Sequence, residues 1–475
     1  MYIHYNALKD ATIYSLQPDQ NTGRDEILEA STYLKNSQPQ VSRYLVKFAT
    51  SEITNVISSK IGTGKSEWTA YFRNFHAVVT GLNLDQKLEF YPISGNWGMG
   101  TGKYNDIPKV ENGTSWNWVD YSGSTLWPTS GFPIYVTASW SGSVTGGGNW
   151  YTGSNLSSPL NEVTQSQTFT YSDTKDIIVD VKNTVETWYS YSLNNANGFA
   201  NEGFLVKNTG SVEFINTKNA TTTFKYFSID TNTIYPPQLE IKWRDFTYST
   251  SSGDFKLQRT LTGSNYSTAL VTNISCSFTQ SLPAPVSNTG TGTGATFGAT
   301  FNEPNMINVF VKDIGSGYKA GDQLTWNAAA LNGLPAITGA TGDAVVTLST
   351  FDIQQLDVID TPDIYCALDN NAGVFYSESI NQFRLNVRPE FPARTFKTGS
   401  LDTKQHALTT ASYYAIKDLD TNEFVVEFDK TYTQISCDAT SSYFTVYMNG
   451  LEPERYYSIL VQTEVDGNTV VLDEN

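Results

Sequence analysis

The chain has 475 residues, 39% of them apolar and 13% aromatic, and 47 acidic against 30 basic residues give a net charge of −17. That apolar share excludes wholesale disorder. The acidic balance, with no Lys/Arg run, argues against nucleic acid or an anionic membrane as partner. At about 100–200 residues per domain, the length implies three domains.

The aromatic residues are mostly Tyr (28) and Phe (25), with Thr, Ser, Asn and Gly filling the gaps. This is strand and turn vocabulary. The fold class expected is all-β and multidomain, with a β-sandwich (jelly-roll-like) N-terminal domain, a small β insertion and an Ig/fibronectin-III-like C-terminal domain. The opening MYIHYNALKDATIYSLQ has no basic segment followed by an apolar run, so no signal peptide is expected. No apolar stretch of 18 residues occurs, so no membrane-spanning helix is expected.

Short helices are expected near 25–34 (DEILEASTYL) and 176–190, and strands at 41–48 (VSRYLVKF) and 85–93 (DQKLEFYPI). Residues 62–66 (GTGKS) have the end of a phosphate-binding loop, but Ser59 stands where that loop needs its first Gly, so a polar turn is expected. Six tryptophans fall between 97 and 150: Trp97, Trp116, Trp118, Trp127, Trp140 and Trp150. Three readings stay open for them. They are core residues compensating for small neighbours, a protein interface, or platforms that stack on sugars.

A domain break is expected after Trp243, giving a first domain of 1–245. The second domain, 246–395, carries an insertion, 287–349, that opens on the Gly/Thr-rich run 287–300 (SNTGTGTGATFGAT), read as a linker or exposed loop. The third domain spans 396–475. Within it KDLDTNE (417–423) spaces Asp418, Asp420 and Asn422 like a calcium loop, but Glu423 replaces the required Gly and Asp429 the final Glu, so a surface turn is expected. In 443–448 and 456–463 side chains alternate as in strands, and Asp466-Gly467 suits a tight hairpin turn.

Catalytic and metal signatures are absent. His4, His76 and His406 lie in no ligand spacing, and no GxSxG elbow occurs. Cys276, Cys366 and Cys437 are far apart and are expected as buried thiols. No catalytic residue, cofactor or metal is expected. A polysaccharide depolymerase working through paired carboxylates ranks third among the functional readings, because 47 acids single out no pair.

The first 245 residues resemble the β-sandwich module called DNRLRE, related to some carbohydrate-binding modules. The resemblance rests on DATIYS (10–15), Gly23 to Leu28, RYLVKF (43–48), DVKNTVETW (180–188), GFLVKN (203–208) and PPQLEIKW (236–243). It implies a fold, since unrelated sites are grafted on one scaffold. GSGYKAGDQLTW (315–326) is similar to repeat units in structural proteins of large marine phages. MNGLEPERYYSILVQTEVDGNTVVLDE (448–474) looks like the closing strands of a fibronectin-III or Ig-like domain, as at the ends of virion proteins of T4-like cyanophages.

Together these resemblances imply a non-enzymatic virion structural protein of a tailed bacteriophage: tail, baseplate, neck or fibre-associated. It would be made in the host cytoplasm and would contact other virion proteins and copies of itself. The second-ranked reading is a glycan-binding adhesin for the host surface.

Overall fold

In the computed structural model 46% of the chain is strand and 9% helix, so the protein is an all-β, multidomain β-sandwich protein. The structure describes residues 1–35, 38–62, 67–79, 85–127, 135–137, 146–151, 162–171, 173–195, 198–209, 213, 222–257, 259–261, 265–266, 278–302, 305–335, 337, 340, 342–369, 371–392 and 404–473. The chain divides into two compact units. The first is Met1–Arg244 with Tyr376–Ser379 and Tyr447–Glu454; the second is Asp245–Phe375, Ile380–Val446 and Arg455–Asn475.

The first unit is a sandwich. One sheet has the strand order Tyr2–Asn6, Gln238–Trp243, Trp68–Asn74, Ile177–Asp180, all antiparallel. The other is eight-stranded and is centred on Gln38–Lys47, which pairs with Lys9–Tyr14, Ile27–Lys35 and Phe204–Asn208. Ile3, Ala70, Phe72, Val179 and Ile241 of the first sheet pack on Tyr44, Val46, Phe90, Phe204 and Phe224 of the second. Period-two alternation produces this: Trp68, Ala70 and Phe72 are buried while Thr69, Tyr71 and Arg73 are only partly so. The helix Lys182–Leu193 closes the core because Val181, Val185 and Trp188 fall on one helical face.

The helix expected over 25–34 is instead the strand Ile27–Lys35. Its residues pair on both sides, with Gln38–Lys47 and Thr222–Phe227, and Leu28 and Ala30 alternate into the core. Sheet pairing on two edges overrides the helical preference of Glu, Leu and Ala in that segment.

Gly203, which opens GFLVKN, is required by the sheet. Its φ is +89°, and a Cβ there would stand 2.1 Å from the Val46 carbonyl oxygen, where Phe204 pairs with Val46. Gly203→Ala is expected to destabilise the unit by about 1–3 kcal/mol, seen as a lower urea midpoint at unchanged m-value.

The second unit has two cores. The first runs from Phe255 to Ile353 and so is wider than the expected insertion 287–349. Of the Gly/Thr-rich run expected as a linker or exposed loop, 289–295 is a loop of exposed and half-buried residues, but the part from Thr296 on is not. Thr296–Asn302 is the central strand of a three-stranded sheet, flanked by Phe278–Ser281 and Asn305–Asp313. Phe297, Ala299 and Phe301 alternate inward, and Phe297 meets Trp326 edge-on with ring centroids 5.2 Å apart. Two Phe and one Ala at alternate positions bury enough apolar area to make 296–302 a strand although its other residues are Gly, Thr and Asn.

The other core is a sandwich. A six-stranded sheet contains Asp357–Val358, Ile364–Asp369, Ile380–Pro389, His406–Ala407, Ser436–Cys437 and Ser442–Tyr447, and a four-stranded sheet contains Phe424–Val426, Ser412–Asp418, Tyr457–Val465 and Asn468–Asp473. Phe444 stacks on Phe383 within the first sheet and on Tyr414 of the second, at 5.5 and 4.4 Å. The boundary expected at 396 therefore does not separate two domains: strands from both sides of it share one sheet. Asp466 and Gly467 have φ of 50° and 78°, the left-handed pair of a type I′ hairpin turn between Tyr457–Val465 and Asn468–Asp473.

Candidate functional site: the tryptophan layer and its exposed hairpin

The outer face of the large sheet is not left to solvent. Ala11, Ile13, Val41, Leu45, Ile93 and Leu205 point away from the sandwich core and carry a second apolar layer. That layer is built by Trp97, Trp116, Trp127 and Trp150, exposed by 1%, 1%, 2% and 5%. These four are core residues, so of the three readings left open the core one holds for them, and a possible interaction surface is corrected for them. The cause is the central strand Gln38–Lys47, which is apolar on both faces and must be covered twice. Trp140 lies outside the described residues.

Trp118 alone of the described five is half-exposed. It starts the strand Trp118–Asp120, which pairs with Thr125–Leu126 so that Trp118 stands opposite Leu126. Val119 and Trp127 point inward, at 4% and 2% exposure, and anchor the hairpin on the tryptophan layer. Leu126 is 53% exposed on the outer side. Tyr121 meets Trp118 edge-on, centroids 4.9 Å apart. The Trp118 indole N–H and the Asn117 amide both donate to Asp19 Oδ1 at 2.9 Å, which fixes the ring. The Tyr121 hydroxyl is paired with Glu111, which raises its pKa.

Two clusters of charged groups lie beneath packed surfaces. Below the tryptophans, Arg43 makes a two-pronged pair with Glu213, Nε–Oε1 3.0 Å and Nη2–Oε2 2.8 Å, with 1% and 0% side-chain exposure. Arg43 also donates to the Gly147 carbonyl and lies 5.0 Å from the Trp116 ring and 5.4 Å from the Trp150 ring. Lys207 joins Glu213 to Glu89, at 3.4 and 3.3 Å.

On the outer face of the four-stranded sheet, Glu240 accepts from the Tyr2 hydroxyl at 3.0 Å, Arg73 at 2.9 Å and Lys242 at 2.7 Å, with His4 Nε2 at 3.5 Å. Burial pushes the Glu240 pKa up, but His4, Lys242 and Arg73 override it and hold the carboxyl far below the usual range. Burial lowers the His4 pKa, with Glu240 opposing. The segment Tyr447–Glu454 covers this cluster: a Cβ on Gly450 would meet the His4 ring at 2.6 Å.

His, Glu, Tyr and Arg are the residue types of acid–base catalysis, but His4 and Glu240 are 3% exposed and their polar atoms face one another. Sequence reasoning missed both clusters, because the pairs that assemble them, Tyr2 with Glu240, Arg43 with Glu213 and Arg73 with Glu240, lie from 167 to 238 residues apart in the chain.

The remaining motifs resolve simply. Only Gly62 of GTGKS is described; it follows the helical turn Ile57–Ile61 rather than a strand. Asp418 accepts from the Asp420 and Thr421 backbone amides and pairs with Arg455 at 2.8 Å, so KDLDTNE is a turn whose first carboxylate already has a cation. No group of three metal-ligating side chains occurs among the described residues. The Cys437 thiol is buried, donates to the Asp438 carbonyl at 3.2 Å and is pushed up to about 11 by burial. Cys366 is half-buried on the strand Ile364–Asp369, and Cys276 lies outside the described residues. No helix among the described residues is long and apolar enough to cross a membrane. No protein-family model matches the chain, and no curated protein matches it.

Proposed function

We propose that this chain is a structural, non-enzymatic component of a tailed-phage virion that works through protein–protein contacts. One observation supports the non-enzymatic part: the clusters of titratable side chains around Glu213 and Glu240 lie beneath packed surfaces, with Glu213 at 0% and Glu240 at 3% exposure, while exposed apolar side chains stand on strands at sheet edges. Val471 is 53% exposed on Asn468–Asp473 and Tyr365 43% on Ile364–Asp369, and among the described residues each of these strands pairs on one side only. Strand edges of this kind serve assembly by strand addition.

The phage assignment is supported by the resemblance of 315–326 and 448–474 to phage structural proteins, and the DNRLRE-like opening supplies the adhesive sandwich. Purified particles from a lysate carrying this gene are expected to contain the chain by mass spectrometry, and antibodies to it to label one fixed site on tail or neck. Protein found free in the lysate and absent from particles refutes the assignment.

A further inference from the structure

We infer that the hairpin Trp118–Leu126 is a docking site for an arginine-bearing segment of a basic partner protein. This deepens the reading of the chain as a protein of protein–protein contacts. The argument starts from rigidity. The inward face of the hairpin is held by Val119 and Trp127 in the tryptophan layer, and the Trp127 indole N–H donates to the Ser115 carbonyl at 2.9 Å. The outward face is therefore preorganised, with Trp118, Tyr121 and Leu126 in fixed positions, which keeps the ordering cost of a contact low.

The chemistry around the rings selects the partner. Asp19 sits at the edge of the Trp118 ring, Glu111 at the Tyr121 hydroxyl, and Asp120, half-buried at the other end of the same short strand, accepts from the Ser122 amide at 3.1 Å. None of these three carboxylates takes part in a salt bridge among the described residues. The cation that senses Asp120 is Lys9, and Lys9 is committed to the Trp97 carbonyl and to the Trp97 ring, 4.3 Å away. Half-exposed aromatic faces ringed by unmatched carboxylates suit a planar cation. A guanidinium stacks on Trp and pairs with a carboxylate at its edge in one geometry, which an ammonium does less well. The net charge of −17 steers a basic partner toward the chain as a whole.

The test uses the full chain labelled with 5-fluorotryptophan. Ten tryptophans give the fluorine spectrum, and loss of one resonance in Trp118→Phe assigns Trp118. Hexa-arginine, hexalysine and maltohexaose are titrated separately. The expected result is a saturable shift of the Trp118 resonance with hexa-arginine, weaker with hexalysine. The affinity should drop about tenfold in Glu111→Gln/Asp120→Asn, the scale of one charge-assisted contact. The resonances of the buried Trp97, Trp116 and Trp127 should stay in place, which shows that the variant is folded. Three results overturn the proposal: no Trp118 shift with hexa-arginine, an undiminished shift in the carboxylate variant, or a shift with maltohexaose in place of the peptide, which makes the hairpin a sugar platform. Each can occur while antibodies still label the particle, so failure here is distinct from failure of the virion assignment.

Discussion

Glu213→Gln is expected to destabilise the first unit by about 3–5 kcal/mol, the cost of leaving a buried ion pair with one partner. Both charges of the pair are shielded: Arg43 and Glu213 side chains are 1% and 0% exposed. Removing the carboxylate strands Arg43 between the Trp116 and Trp150 rings and leaves Lys207 with Glu89 alone. The rings supply some cation–π attraction, roughly 2 kcal/mol when desolvated, which is less than the pair they would replace. Urea unfolding followed by tryptophan fluorescence reads the loss directly, since two of the tryptophans touch Arg43. The double variant Arg43→Met/Glu213→Leu is expected to recover most of the stability, because apolar groups of similar volume remove the desolvation cost along with the pair. A loss under about 1 kcal/mol for Glu213→Gln would mean that water reaches the cluster.

Why that cluster escaped sequence reasoning is also why much of the fold did not. Local pattern is legible wherever one element supplies its own signal. The strand at 442–447 follows from alternation and the Asp466-Gly467 hairpin from turn chemistry, while the helix expected near 176–190 is found over Lys182–Leu193, after the strand Ile177–Asp180. The segment 25–34 reads as a helix because Glu, Leu and Ala favour one locally. Two neighbouring strands, one of them nearly 200 residues away, make it a strand.

The tryptophans teach the same lesson at the level of the site. Six large rings in Gly/Ser-rich loops do not reveal which face they turn, since loops lack a period. Only the stretch Trp118-Val119-Asp120 facing Leu126-Trp127 carries one, with Trp118 and Leu126 on one side and Val119 and Trp127 on the other. Alternation across those residues could have separated the exposed ring from the four buried ones. The pairing of Arg43 with Glu213 has no local counterpart, being set by 170 residues of intervening topology.

Asp10→Asn is expected to remove a fall of stability with rising pH and to make the protein more stable than wild type above neutrality. Asp10 is the second residue of the strand Lys9–Tyr14, is 1% exposed, and accepts one bond, from the Ile229 amide at 2.8 Å. Burial, with Asp230 adding repulsion and the Ile229 amide opposing, raises its pKa to about 8 from an ordinary 3.8. Between those values the folded chain keeps a proton that the unfolded chain has lost. Stability is then full near pH 4 and falls as pH rises toward 8. From pH 5 to 7.5 the group alone removes roughly 3 kcal/mol, at about 1.4 kcal/mol per pH unit.

Asp25, raised to about 6 chiefly by burial, acts with the same sign, so the variant retains a smaller slope below that value. Lys9 has the opposite sign, but its contribution begins only above about 8. His4, whose pKa burial lowers, also has the opposite sign and raises the stability of both proteins through the histidine range. Asparagine keeps an oxygen for the Ile229 amide and titrates nowhere, so the urea midpoint of Asp10→Asn should gain steadily on that of wild type between pH 6 and 7.5. Parallel curves for the two proteins would place Asp10 in contact with water and remove it as the source of the slope.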